Sequence, residues 1–332
     1  MRAGAAFVLL ACLPATAEAV QACENLALPS QRRSRQQQQR QRQPVVLLAA
    51  ADATSEAKEK LGSWFSSQRS ALMSKAQSGG GAMDPQRKQA AELMKKRGVA
   101  NADKAASLLR SALKRDPDNA EIKLELADAL NMVIRIKTNA NSLVIEGTQD
   151  SPAFKKIWRE LGGEALPLAL DARKAFPKSV KALAVHADAF LFSSSSKGII
   201  KQALTGVGKK YVALAKELYA HPEWDGAVGC AFLGGFYSVA PWPVGSKDKA
   251  IKFLNEGARR APTKRNFYYV GVISYQTGEY AKAAEYFKKA LKTPVSKEPT
   301  STEVDIAEFL ADRSKRGLQA AEEALAKQAS ER

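Results

Sequence analysis

Cysteine is scarce in this chain: there are three among 332 residues, Cys12, Cys23 and Cys230. The first two fall near a predicted cleaved leader. The one that remains can close no disulfide within the mature chain and can build no cysteine-rich zinc site. Cys230 stands in an apolar helical stretch and reads as a small buried residue. Histidine is scarcer, with two residues, His186 and His221. His186 sits at a large-apolar position of "VHADAF" and reads as a buried, hydrogen-bonded core residue. His221 reads as a helix-end contact. Two distant histidines make a His-based metal site improbable, so no metal and no cofactor is expected. No run of ~20 apolar residues follows the leader, which predicts no spanning helix. G-x-S-x-G, H-E-x-x-H and G-x-G-x-x-G are all missing. "GVGKK", Gly206 to Lys210, lacks the spacer and hydroxyl of a phosphate-binding loop and reads as a loop and helix start. An enzyme is therefore not expected, and no catalytic residue is assigned.

What the chain does have is positive charge, +17 in all. Residues 1–83 hold 10 Lys/Arg against 5 Asp/Glu, and residues 84–332 hold 41 against 29. The part after the "SGGG" break is thus basic in its own right. That favours an acidic partner, or is simply a solvated lysine-rich helical surface. Charge alone would support nucleic-acid binding, which is not expected.

The first residues read as an address. "MRAGAAFVLLACLPATAEA" has an arginine beside the start, a short apolar stretch and an A-x-A-like end. This predicts a signal peptide over 1–22. Gln31 to Gln43 then carries five Arg, seven Gln and no acid. Residues 23–83 read as a transit-like, low-complexity leader and linker, with a mature start between about Ala49 and Met83. Such a two-part leader resembles those of plastid proteins in algae with extra plastid membranes. Secretion is the alternative, and "VQAC", Val20 to Cys23, leaves a bacterial lipoprotein as a third. Leu61, Trp64, Phe65 and Leu72 fall near helical spacing, a short amphipathic segment.

Residues 84–332 read as helical. From Lys264, "KRNFYYVGVISYQTGEYAKAAEYFKKAL" fits a helix–turn–helix unit. Phe267 and Val270 are large, Gly271 small, and Gly278 the turn with Tyr280 over it. Ala283, Phe287 and Ala290 follow in the second helix. Small residues let backbones nest while large ones fill the layers. "CAFLGGFY" supplies Leu233, Gly234 and Tyr237, and "KAIKFLNEGARRAP" supplies Ala250, Leu254 and Gly257. Upstream, Ala105, Leu109, Ala112 and Leu113 form one further helix. Leu126, Ala127 and Leu130 form another, and so do Ala165, Ala169 and Ala172. Leu183, Ala187 and Phe190 mark the last of these. "STEVDIAEFLADRSKRGLQAAEEALAKQ" reads as a terminal capping helix opened by Ser301, Thr302 and Glu303.

This pattern, with its period of 34, resembles the tetratricopeptide repeat (TPR). The implied fold is all-α: a TPR-like helical solenoid of about five helix pairs plus a C-terminal cap. Over about residues 100–325, "KKYVALAKEL", "HPEWDGAVGCAFLGGFYSVAPWPVG" and "KTPVSKEPTSTEVDIAEF" resemble two relatives. One is the C-terminal domain of the regulator-of-microtubule-dynamics family. The other is the TPR subunit found with bacterial TRAP transporters. Neither resemblance supplies catalytic residues, and a secretory leader would remove the chain from cytosolic tubulin.

In this repeat the first helices line a groove, and the resemblance assigns them binding positions. These are Asp128 and Asn131, Lys181 and Asp188, then Arg265, Tyr268, Tyr275 and Gln276. Arg265, Tyr268 and Tyr275 fall on one stripe. Read as groove-facing, they should be replaceable without harm to folding. The Lys/Asn carboxylate clamp of chaperone-binding TPR proteins is absent. Two functions follow. One is a non-enzymatic protein-binding scaffold, or accessory or assembly factor, holding a protein or peptide partner. The other is a soluble small-ligand-binding or transport accessory protein like the TRAP-associated subunit. Long inserts bear on the second: Thr138 to Gly163, Ser193 to Gly208 and Ala240 to Gly245. An enclosed apolar tunnel would favour the ligand reading and an open groove the scaffold.

Overall fold

The computed structural model describes residues 84–198 and 206–331. The signal peptide, the Arg/Gln tract, the segment around Trp64, Cys12 and Cys23 lie outside the described residues. So does the middle of the second insert. No described helix is long and apolar enough to cross a membrane.

Eleven α-helices and no strand make up the described residues. They are α1 (Pro85–Lys96), α2 (Val99–Arg115), α3 (Ala120–Lys137), α4 (Pro152–Ala175), α5 (Val180–Ser195) and α6 (Val207–Tyr219). They continue with α7 (Val228–Val239), α8 (Lys247–Arg260), α9 (Lys264–Gln276), α10 (Tyr280–Lys292) and α11 (Ala307–Ser330). Each packs on the next in the chain, with α3 also touching α5 and α9 touching α11.

Side-chain oxygens start many of these helices by taking up otherwise orphan backbone N–H groups. Asp84, Asn119, Ser151, Ser179, Ser246 and Thr263 serve α1, α3, α4, α5, α8 and α9 in this way. The small positions read from the sequence lie at the packing seams. Ala105, Ala165, Ala169, Ala250, Ala283 and Ala290 have no exposure at all. Leu109, Leu126, Leu130, Leu183, Leu233, Leu254 and Phe287 fill the layers between them. Gly271 is required by close approach: a Cβ there would stand 2.7 Å from the Phe287 ring. Phe267 and Phe190, read as core, are only half-buried, while Tyr268 and Phe192 are fully buried.

Three sequence boundaries need correction. Much of the first insert is helix, since Pro152 to Gly163 begin α4, leaving a true loop over 138–151. The start of the second, Ser193 to Ser195, ends α5. The C-terminal helix does not start at Ser301–Glu303. A short 3-10 turn over Glu303–Ile306 comes first and α11 begins at Ala307. The reason is electrostatic. Asp305 has no side-chain exposure and is held by Arg97 and Arg135, at 2.9 and 3.0 Å. Glu303 accepts backbone N–H bonds from Arg265 and Ser296. Acids that serve distant partners are not available to cap their own helix.

Helix α9 is central. Ten of its 13 residues are buried, including Lys264, Arg265 and Asn266. A helix buried on nearly every side needs a neighbour on each. On one side stand α8, α10 and α11. On another the 138–151 loop and residues 302–303 reach it through hydrogen bonds.

Candidate functional site

The loop between α3 and α4 is pinned to α9. Tyr268 Oη donates to the Leu143 carbonyl at 2.7 Å, Tyr269 Oη to Ser142 Oγ at 3.0 Å, and Gln276 Nε2 to the Val144 carbonyl at 2.9 Å. At its base, Trp158 Nε1 donates to Thr138 Oγ1 at 3.0 Å, and Gln149 Nε2 bonds the Ser142 carbonyl at 2.9 Å. Buried polar groups gain most from such complete pairing, so the loop is a fixed wall.

Between this wall and helices α5, α6, α7 and α9 lies a cavity of about 340 Å³. Its apolar lining is led by Leu143, Trp158, Phe192, Phe232, Phe236 and Val239. Tyr211 forms part of the same surface, stacked on Phe232 at 5.5 Å and on Phe236 at 5.6 Å. Gly235 also lines it, and a Cβ at that position would meet nothing within 4 Å.

The polar end of the cavity is built from Arg135, Asp188, Arg265 and Tyr269. Both arginines are already paired with carboxylates, while Arg265 Nε is buried with no hydrogen-bond partner among the described residues. Arg135 Nη1 donates to Asp188 at 2.6 Å and Nε to Asp305 at 3.0 Å, with Asp128 4.0 Å away. Burial opposes the Arg135 charge, but the carboxylates of Asp305, Asp188 and Asp128 outweigh it and hold the proton more firmly than usual. Arg265 Nη1 bonds Asp225 Oδ2 at 3.1 Å and Thr302 Oγ1 at 3.2 Å, and Nη2 bonds the Asp225 carbonyl. Asp225 also takes the Thr302 N–H at 2.8 Å and hydroxyl at 2.7 Å. Asp225, Gly226 and Ala227 all have left-handed φ of 44°, 57° and 56°. Such backbone persists only where surroundings over-determine it, as these bonds do.

Asp188 differs. Its Oδ2 has Arg135, while Oδ1 has no hydrogen-bond partner among the described residues. Burial, with Asp225 and Asp128 adding to it, raises its carboxyl to about 6 against the pull of Arg135. Tyr211 stands near enough that burial and the Asp188 charge together push its phenol well above its usual value.

The eight binding positions read from the sequence do not form one surface. Asp188 and Arg265 reach the cavity. Asn131 is fully buried and donates to the Val185 carbonyl at 2.9 Å. Tyr268, 1% exposed, holds the loop from behind the wall. Gln276 grips Val144, and Tyr275 packs against Tyr280 at 5.3 Å. Asp128 and Lys181 pair with each other at 3.1 Å. The expected groove-facing stripe of Arg265, Tyr268 and Tyr275 is therefore corrected: its first two members are interior, because the 138–151 loop and the 302–303 turn cover them. Arg135, Tyr211, Tyr269, Phe232 and Phe236 belong to the cavity and were not singled out as site residues. The interleaved aromatics of "CAFLGGFY" were the one available signal for the last two.

Cys230 is 1% exposed and burial pushes its thiol up to about 11. His186 is buried as expected, but its Nδ1 has no hydrogen-bond partner among the described residues, and burial first, then the Arg173 charge, lowers its affinity for a proton. Among the described residues no group of three or more His, Cys, Asp or Glu side chains converges as metal ligands would. Comparison with protein-family models and with curated proteins finds no match to the chain.

Proposed function

We propose that this chain is a non-enzymatic small-ligand-binding protein, an accessory carrier built on a TPR-like stack of five helix pairs and a cap. The observation that carries this is the walled apolar cavity, with its loop fixed by Tyr268, Tyr269 and Gln276. Ligand sites are typically concave and mostly apolar, with a few polar groups that fix orientation.

The ligand's chemistry follows from which polar groups remain unspent. The charges of Arg135 and Arg265 are paired with carboxylates, which disfavours an anionic head, and the one arginine N–H left without a partner, Arg265 Nε, suits a neutral acceptor atom on the ligand. Asp188 Oδ1 faces no donor among the described residues. The ligand is thus an amphiphile with an aliphatic or aromatic body and a hydrogen-bond-donating head, an amine before an alcohol. The body lies along Phe232, Phe236 and Tyr211, and the head meets Asp188. A charge-assisted bond to a carboxylate is stronger than a neutral one, which ranks the amine first.

The scaffold reading relied on an exposed groove. Its strongest residues, Arg265 and Tyr268, are 4% and 1% exposed. A peptide would have to displace the loop to reach them.

The test is displacement of an apolar fluorescent probe by dodecylamine, dodecanol and dodecanoate. The amine should compete best and the carboxylate worst. Asp188→Asn should weaken the amine by roughly tenfold, as loss of a charged partner implies. Equal competition by all three would remove Asp188 from the site, and no probe binding would remove the site.

A further inference from the structure

The loop after α7 leaves "PWPV", Pro241 to Val244, exposed as a block. Trp242 is 90% exposed and Val244 50%. The loop is nonetheless held. Val244 N and Gly245 N both donate to the Pro241 carbonyl at 3.0 Å, and Ser246 N to the Tyr237 carbonyl at 3.0 Å. Close packing fixes its far end, since a Cβ on Gly245 would stand 2.0 Å from the Ala240 carbonyl oxygen. The held backbone thus presents Pro241 to Val244 as one contiguous exposed apolar block, the kind of surface that marks an interaction site.

Two further features bear on what does. First, the loop is at the cavity's rim: Ala240, Pro241 and Val244 line the cavity that Phe236 and Val239 continue inward. Second, lysines surround it. Lys209, itself a lining residue, and Lys210 lie in the first turn of α6, which packs on Phe236. Lys247 and Lys249 open α8 directly after the loop. Lys209, Lys210, Lys247 and Lys249 are exposed, and Asp248 is the acid between the last two. Asp150, at the rim, is paired with Lys155 at 2.9 Å.

We propose that this rim docks on an anionic membrane surface, with Trp242 and Val244 entering the headgroup–acyl boundary and the lysines meeting lipid phosphates and carboxylates. Tryptophan favours that boundary because its ring is apolar and its N–H polar. Basic residues beside an inserted apolar face add attraction to anionic lipid. Docked this way, the cavity opens towards the lipid, and an amphiphile passes between bilayer and cavity without crossing water. That last clause rests on the ligand-binding reading above; the docking does not.

The experiment is co-flotation of the full chain with vesicles of phosphatidylcholine alone or mixed with phosphatidylserine. The chain should float with the mixed vesicles and not with the neutral ones. Trp242→Ser, and separately Lys210→Glu with Lys249→Glu, neither of which lines the cavity, should each weaken flotation at least tenfold while melting temperature and apolar-probe binding in solution stay unchanged. Gly235→Leu, which acts only inside the cavity, should float like the wild type. Undiminished flotation of Trp242→Ser, equal flotation with neutral vesicles, or none at all would overturn the proposal. Loss of probe binding with flotation intact would overturn the ligand reading alone.

Discussion

Tyr268 and Leu143 stand 125 residues apart in sequence, and the tyrosine hydroxyl donates to the leucine carbonyl at 2.7 Å. The bond ties α9 to the cavity wall. Burial pushes the Tyr268 phenol well above its usual value, so it remains a donor throughout the physiological range. Tyr268→Phe should cost ~1 kcal/mol by leaving that carbonyl unpaired. Tyr268→Ala should cost ~3–5 kcal/mol through the additional void. Urea unfolding checks both. An unchanged midpoint for Tyr268→Ala would mean that the side chain is not interior.

Gly271 and Phe287 define the tightest small–large pair of the α9–α10 seam. Gly271→Leu drives a side chain into the Phe287 ring and should destabilise by ~1–3 kcal/mol or more. Lys282→Gln, which loses only a surface pair with Glu279, should stay within ~0.5 kcal/mol. Thermal melts of the two variants side by side give the comparison.

Asp305 joins Arg97 of the α1–α2 turn to Arg135 of α3. Both ion pairs are protected on the carboxylate side, which has no exposure. Asp305→Ala leaves the almost fully buried Arg135 short of one partner and should cost ~3–5 kcal/mol. Removing Glu92, whose bond to Lys95 is exposed, should leave the unfolding midpoint essentially unchanged. Comparable losses from the two would contradict the burial of this network.

Asp188 makes stability depend on pH with a definite sign. Its folded value of about 6 lies above the ordinary 3.8. The neutral carboxyl therefore favours the folded state below the ordinary value. That contribution is lost as pH rises through about 6. The groups facing Asp188 are Arg135, Asp128, Asp225 and Tyr211. Between these two pH values the wild type should lose ~1–3 kcal/mol relative to Asp188→Asn. Melting both chains across the range measures it, and parallel curves would show Asp188 to be an ordinary carboxylate.

The helices were legible because small and large residues recur at helical spacing. Ala283, Phe287 and Ala290, which the repeat-like unit puts on the packed face of its second helix, have no exposure. The site was not legible, and α9 shows why. Repeat position says which face of a helix points away from its neighbours, but not whether another segment covers that face. Arg265 and Tyr268 are covered by Thr302 and Leu143, residues that no local pattern connects to them. Glu303 misleads for a related reason: a helix-starting acid and a buried acid that accepts from distant backbone N–H groups look alike in sequence. Asp188 reads from the sequence as a groove residue, and the structure puts it at the polar end of the cavity.

The central claim is that the cavity holds a small molecule, and Gly235 permits the most direct test. It lines the cavity, and its Cβ direction is open for 4 Å. Gly235→Leu should therefore fill the cavity without disturbing α7. Native mass spectrometry of the wild type and of Gly235→Leu, each expressed in the native host, should show one non-covalent small molecule per chain on the first. The second, at an equal melting temperature, should carry none. A wild type that carries nothing, or a Gly235→Leu chain loaded to the same extent, would contradict the account.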